Sequence, residues 1–351
     1  MDAQSHYLRT TAATDMSITT KAVDFYFQQE EIPSPSGKTL IIQGEPGPWL
    51  DHLEDKSPTV LCYRADHDLK WKKRKLTPIQ ETSEKFDLII HFGTKFANEN
   101  LSHLGVYSQQ LNEGGRWISV VPNRMGASRL RKDLEKLFPE VESSSKSKCR
   151  ILDTSSAADA KLARKWASLA KPKTITGTEL VTMPGIFSAE KLDTGSTLLA
   201  EILKKESWYG SGADMGAAYG YLSSVVLGTP RQKVREVLLY ELDYRALECA
   251  KQNLSAYDCA DYRWCDVTAG IAHERNFDWI IMNPPFHEAQ DQSFELGKTF
   301  IREAARNLKP GGSLYLVANL HLPYEELIRD LFRSHRLLAE DKGFKCIHAR
   351  A

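Results

Sequence analysis

No Cys-x-x-Cys pair, no long apolar run and no excess of either charge occur in this 351-residue chain. Each absence removes a class of function. The six cysteines, at 62, 149, 249, 259, 265 and 346, lack the close pairing and histidine grouping of a zinc site, so no metal is expected. So few thiols in so long a chain make a disulfide framework a poor reading, and reduced thiols are expected. No segment approaches the ~20 apolar residues of a membrane span, and the opening MDAQSHYLRTTAATDMS has no apolar core of a signal peptide. A soluble, cytoplasmic protein is expected. Basic and acidic residues balance at 46 each, so no global field steers the chain onto a polyanion, and any nucleic-acid contact must come from local patches. The composition, 42% hydrophobic and 26% charged, is that of a globular protein and excludes disorder. At roughly 150 residues per domain, two domains are expected.

The chain contains itself twice. FDLIIH (86–91) matches FDWIIM (277–282), each an acid followed by the short apolar run of a buried parallel strand. About twenty residues after each (judged from ordinary βαβ spacing) comes a Gly-Gly turn feeding an apolar strand, LNEGGRWISVV (111–121) and LKPGGSLYLVA (308–318). Upstream, VLCYRAD (60–66) aligns with VLLYELD (237–243). The order is kept and only the loops differ in length, which predicts two copies of one α/β unit. The serine-rich ESSSKSKCR (142–150) reads as linker or loop, followed by a helix-like AADAKLARKWASLA (157–170). The join falls between about 150 and 185, giving domains 1–160 and 175–351. In the second copy, strands at 236–241, near 262–265, 277–282 and 313–318 alternate with helices at 244–254 and 294–308, the rhythm of a doubly wound parallel sheet. HRLLAED and KGFKCIHARA then form an antiparallel hairpin around Lys342-Gly343.

Chemistry-bearing residues fall at the strand ends of that second copy. Asp214-Met215-Gly216-Ala217-Ala218-Tyr219-Gly220 reads as D-x-G-x-x-x-G at a strand-to-helix turn, where glycines let a ligand approach the backbone. Glu241, closing the next strand, can accept from a ribose diol, and Asp266, closing the third, can accept from an adenine amine or cap a turn. Asn283-Pro284-Pro285-Phe286 must leave the sheet at the ligand-binding edge, since prolines cannot continue a ladder. The Asn283 amide and the Pro284 carbonyl offer paired acceptors to a planar amino group, with Phe286 to stack on its ring. His287 serves equally as a substrate contact or a surface residue.

In that order, these motifs resemble a class I S-adenosylmethionine-dependent methyltransferase acting on an amino nitrogen. NPPFHE, VANLHLPYEELI (317–328), the closing KGFKCIHARA and PGIFSAEKLDTGSTLLAEIL (184–203) narrow the resemblance to the ribosomal RNA guanine-N2 methyltransferases of the small subunit methyltransferase C family. It covers essentially the whole chain. It implies two tandem Rossmann-like methyltransferase domains, the first degenerate, S-adenosyl-L-methionine as cofactor, and ribosomal RNA or a ribosomal subunit as partner; a monomer is expected. LPYEELI leans to the small-subunit branch. There are departures. The family's middle glycine is Ala218, tolerated only if that position avoids φ > 0, and the strand before Asp214 reads Tyr-Gly-Ser-Gly-Ala rather than an apolar run.

The first copy lacks the chemistry. Arg64 aligns with Glu241, Phe92-Gly93-Thr94-Lys95 aligns with NPPF, and the turn Gln43-Gly44-Glu45-Pro46-Gly47 has lost its leading aspartate. One active site is therefore expected. The first copy does carry two basic clusters, Lys70-Trp71-Lys72-Lys73-Arg74-Lys75 and Arg124, Arg129, Arg131 and Lys132. Phosphate contact with aromatic stacking would assign them to RNA, and a solvated helix face is the plain alternative. Two other functions compete with guanine methylation: adenine-amine methylation of RNA or DNA, and a non-catalytic RNA-binding assembly factor.

Overall fold

The run FDWIIM owes its continuous apolarity to burial on both faces. In the computed structural model, which describes residues 17–29, 36–230, 232–271, 277–285 and 290–351, Phe277, Ile280 and Met282 pack into one core while Trp279 and Ile281 pack into another on the opposite side of the sheet. The neighbouring strand alternates likewise, Leu238 and Tyr240 to one side, Val237 and Leu239 to the other. Helices cover both faces, as a parallel sheet requires.

The chain divides into two compact units, Met1–Cys62 with His67–Ala170, and Tyr63–Asp66 with Lys171–Ala351. The first unit builds its sheet from β1 (Thr39–Ile42), β2 (Thr59–Leu61), β3 (Phe86–Phe92), β4 (Leu111–Pro122), β5 (Glu142–Lys146) and β6 (Cys149–Thr154), in the order β2-β1-β3-β4-β6-β5. A two-stranded piece, β7 (Lys173–Thr174) and β8 (Val181–Thr182), opens the second unit. Its main sheet uses β9 (Tyr209–Met215), β10 (Lys233–Glu241), β11 (Ala260–Trp264), β12 (Phe277–Met282), β13 (Leu308–Asn319), β14 (Ser334–Asp341) and β15 (Phe344–Arg350), in the order β11-β10-β9-β12-β13-β15-β14. Among the described residues the two orders coincide except for β11, whose place in the first unit is taken by an isolated parallel bridge from Ile79 to Leu61. Both sheets are parallel up to β4 or β13 and end in an antiparallel hairpin. The duplication read from three short matches extends to the strand order of both sheets, β11 excepted.

Two expectations are corrected here. ESSSKSKCR is not a linker: Glu142–Lys146 is the edge strand of the first sheet, turning through Ser147 and Lys148 into β6. All five of its residues are exposed, so it has no buried face and no alternation to betray it. The alignment of Arg64 with Glu241 is also displaced. Ile42 pairs with Leu61 and His91, as Met215 pairs with Tyr240 and Met282. Leu61 thus corresponds to Tyr240, and the counterpart of Glu241 is the buried Cys62. Arg64 sits immediately before the helix Ala65–Lys73, where the second unit has the helix cap Asp243.

The departure from an apolar strand in β9 has a packing cause. A side chain on Gly212 would run into the Trp279 indole, which fills that space and meets Trp208 edge-on at 4.9 Å. Gly210, at φ +69°, faces the Asp278 carboxylate, which accepts from the Ser211 N–H at 2.9 Å. The first unit repeats the device: Gly37, at φ +75°, faces Asp87, which accepts from the Lys38 N–H at 2.8 Å. The acid of each F-D pair therefore anchors the start of the neighbouring strand. Among the described residues no helix is long and apolar enough to cross a membrane.

Candidate active site

β9 is the point where the chain reverses direction across the second sheet, with β10 added on one side and β12 on the other. The C-terminal ends flanking such a switch form the ligand crevice of open α/β sheets. The turn after β9 is tied to β10 by its own backbone, Gly216 and Ala217 N–H groups donating to the Tyr240 carbonyl at 2.9 and 3.1 Å. Gly216 and Gly220 both take positive φ, +77° and +80°. So does Ala218, at +47°, against the expectation that an alanine there must avoid it. The left-handed region costs a non-glycine residue about 1–2 kcal/mol, and an acid offsets that cost. Glu241 Oε2 accepts from the Ala218 N–H at 2.7 Å, while Oε1 accepts from Leu242 and Asp243 N–H groups at 2.8 and 2.9 Å. Burial raises the Glu241 pKa above the usual range, and the three backbone donors oppose that. Among the described residues, three of its roughly four acceptor positions are used, leaving one, on Oε2, for a ligand.

Ala218→Gly should relieve the strained backbone without disturbing that anchor. After the entropy a glycine adds to the unfolded chain, a net gain of about 0.5–1 kcal/mol is expected, read as a Tm increase of ~1–4 °C. A drop in Tm would show that the alanine methyl matters more than its φ.

Asp214 is 1% exposed. Its Oδ2 accepts from Ser223 Oγ at 2.7 Å, and its Oδ1 is buried with no partner among the described residues. Desolvation drives its pKa up to about 7, with Glu241 adding to the rise and hydrogen bonds from Ser223 restraining it. Asp266 lies at the same edge, one residue beyond Cys265, whose N–H bonds the Glu241 carbonyl at 3.0 Å. It fills its capping role, Oδ1 accepting from the Thr268 N–H and hydroxyl at 2.8 and 2.7 Å.

Asn283 emerges at the end of β12, followed by a buried Pro284 and a half-buried Pro285. Both hydrogens of its side-chain amide are engaged, to Asp193 Oδ2 at 3.0 Å and Ser196 Oγ at 2.8 Å. Its Oδ1 is buried and has no donor among the described residues. Such an orphan acceptor costs about 1–3 kcal/mol unless a ligand supplies the donor. Phe286 and His287 lie outside the described residues. Asp193 and Ser196 lie in a segment that carries part of the family resemblance, yet the sequence assigned them no role. The available signal was Asp193 as a helix cap, since D-T-G-S opens the apolar run of Thr194–Leu203.

The equivalent edge of the first unit is filled. Trp71 donates its indole N–H to the Gly44 carbonyl at 2.9 Å, Trp49 packs edge-on against Trp71 at 6.3 Å, and Phe92, in the place of Asn283, packs on Trp49 at 5.7 Å. Trp49 and Trp71 are wholly buried. Trp71 is therefore core and cannot stack on a nucleobase, which removes it from the RNA-binding set. The cations around it remain at the surface. Lys70 pairs with Glu45 at 3.0 Å and Lys72 with Asp68 at 2.7 Å, while Lys73 and Arg74 are exposed. In the second cluster Arg129 and Arg131 pair with Asp133 and Glu135 one helical turn on, and Arg124 is exposed.

The methyltransferase small domain family model matches residues 177–348, the whole of the crevice just described. The ribosomal RNA small subunit methyltransferase C of Haemophilus influenzae (strain PittGG) is 30% identical over 262 residues, covering 74% of this chain and 78% of that protein. This chain belongs to the ribosomal RNA small subunit methyltransferase C family. A further member, from Cronobacter sakazakii, is 37% identical over 170 residues, 48% of each chain. In fold, the chain is similar to a T. thermophilus 16S rRNA N2 methyltransferase (RsmC) solved in complex with AdoMet and guanosine. That match has a TM-score of 0.74 at 23% identity and covers 94% of this chain and 91% of the other. For this family member the doubly wound reading of both copies thus stands.

Proposed function

We propose that this chain transfers a methyl group from S-adenosylmethionine to the exocyclic amine of a guanine in ribosomal RNA, through a single site in its second unit. The observation that carries the assignment to this site is Asn283: an amide with both hydrogens pinned and its oxygen buried without a donor among the described residues. It is a preorganised acceptor for a donor such as an amino group. The residues also fit the cofactor, because Gly216, Ala218 and Gly220 turn the chain at positive φ beside the crevice, Glu241 keeps one acceptor position, and Asp214 holds a second orphan oxygen. Gly216, Gly220, Glu241 and Asp266 would hold it, beside Asp214 and Asn283.

S-adenosylmethionine supplies, when bound, an electrophilic methyl on a sulfonium. The protein's part is with the nucleophile. A guanine amine is a weak one, since its lone pair is delocalised into the ring. Asn283 Oδ1 and the Pro284 carbonyl accept its hydrogens, favouring a pyramidal nitrogen whose lone pair is free to attack in line. Rate enhancement then comes from positioning and preorganised dipoles. The proton leaves to water after transfer, so no general base is assigned. A stacked or paired guanine has to be flipped into the pocket, where Phe286 is the proposed stacking partner. A ribosomal RNA substrate supports a cytoplasmic location.

The experiment is nucleoside mass spectrometry on unmodified 16S rRNA, 23S rRNA and each subunit after incubation with enzyme and S-adenosylmethionine. N2-methylguanosine in the 16S samples is the expected product. Methyladenosine would replace guanine by adenine as substrate, and no product in any sample would leave a binding factor.

We assign the first unit to holding the RNA, through Lys70, Lys72, Lys73, Arg74, Arg124, Arg129 and Arg131. Several of these already neutralise a carboxylate, so Lys73, Arg74 and Arg124, which form no ion pair among the described residues, should dominate. Replacing Lys70, Lys72, Lys73 and Arg74 by alanine is expected to weaken RNA binding about tenfold or more near physiological salt and flatten its salt dependence. Cofactor affinity should not change. Unaltered RNA affinity would reduce the cluster to a solvated helix face.

A further inference from the structure

An asparagine side chain has two nearly isosteric orientations, with oxygen and nitrogen exchanged, and only one of them can receive an amine. What selects that orientation in this protein lies ninety residues earlier in the chain. Asp193 caps the helix Thr194–Leu203, its Oδ2 accepting from the Ser196 N–H at 2.7 Å. The same Oδ2 accepts one Asn283 amide hydrogen at 3.0 Å, and Ser196 Oγ accepts the other at 2.8 Å. The helix is held to the sheet by close packing at Gly195, where any side chain would strike the Phe344 ring at 2.7 Å. Ser196 is 6% exposed, so water does not replace it as a partner.

We infer that Asp193 and Ser196 are positioning residues that lock the Asn283 amide with its oxygen toward the substrate, and thereby present an acceptor to the substrate's amino group. Turning the amide over would set Oδ1 against the Asp193 carboxylate, which can only accept, and forfeit that charge-assisted hydrogen bond, while the Ser196 hydroxyl would have to turn its own hydrogen to donate. It would also present an NH₂ to the substrate amine, donor against donor. Asp193 is thus bound twice, to the helix it starts and to the asparagine it aims. The cap thus ties the start of the helix to the end of β12. This inference rests on the reading of Asn283 as the substrate's acceptor.

The test separates the two. Ser196→Ala removes one amide partner and leaves the cap, which uses the Ser196 backbone. Its kcat is expected to drop about tenfold, while the S-adenosylmethionine dissociation constant, measured by titration, stays within about twofold, the spread of a single indirect contact. Ser196→Thr keeps the hydroxyl and should restore kcat. Asn283→Asp places two carboxylates together and is expected to be nearly inactive. Combining it with Asp193→Asn returns a donor to face the new acceptor, and should recover at least about tenfold of that loss. A purely structural role predicts no such recovery, because the double variant then carries both defects. Wild-type kcat in Ser196→Ala, or no recovery in the double variant, overturns the inference when Asn283→Ala is inactive. Full activity in Asn283→Ala overturns the parent reading instead. Should Asp193→Asn fail to fold, the Ser196 pair decides alone.

Discussion

Asn283→Ala is expected to lower kcat for methyl transfer by about 10²–10³-fold, the cost of losing one preorganised polar group aimed at a reacting centre. The Asn283 oxygen is a buried acceptor that no donor among the described residues uses, so its stabilisation is realised only when a donor arrives with the substrate. The substitution removes that acceptor and strands Asp193 and Ser196, whose own cap survives. The fold should therefore persist, and cofactor affinity should change by less than about tenfold, since the lost contact is a single hydrogen bond at most. Single-turnover transfer of labelled methyl to rRNA, beside a cofactor titration, checks both halves. A kcat within about threefold of wild type, on the order of one weak contact, would take Asn283 out of the catalytic machinery.

The second large effect is expected from Glu241→Gln. Three backbone N–H groups converge on this carboxylate, from Ala218, Leu242 and Asp243. Glutamine keeps one oxygen and turns an NH₂ toward the rest, leaving at least one buried N–H unpaired at a cost of about 1–3 kcal/mol. The loss falls on Ala218, whose positive φ then lacks its anchor. S-adenosylmethionine affinity should decline by about 10²-fold, from the ribose contact and the loosened turn together. Thermal stability should drop by several degrees. Unchanged cofactor affinity would mean that Glu241 serves the fold alone.

How much of this was legible depended on whether a residue's role lay in its own segment. FDLIIH and FDWIIM announced buried strands because burial on both faces removes polar residues from the run. NPPF announced the site edge because proline is excluded from a ladder. The hairpin at Lys342-Gly343 showed because the strands flanking it carry apolar residues, whereas Glu142–Lys146 has none and passed for a linker. Trp71 misled because cations surround it in sequence. In the helix, Ala65, Asp68 and Trp71 recur at three-residue spacing and face inward, a phase that was available to be read. Cys62 was hidden by the better match of VLCYRAD in a shifted frame, which strand register alone corrects. Asp193 was readable as a helix cap, but its contact and that of Ser196 with Asn283 were beyond reach, because that partner is at the end of a distant strand and nothing in a single sequence joins them.

One competent site per chain is expected, because the first unit's equivalent edge is closed by Trp49, Trp71 and Phe92. The most direct measurement is an equilibrium titration of the intact chain with S-adenosylmethionine, read as stoichiometry and affinity for wild type and Glu241→Gln. One molecule per chain, with an affinity that collapses on that single substitution, is the predicted result. Two molecules per chain, or one whose affinity ignores Glu241, would contradict it.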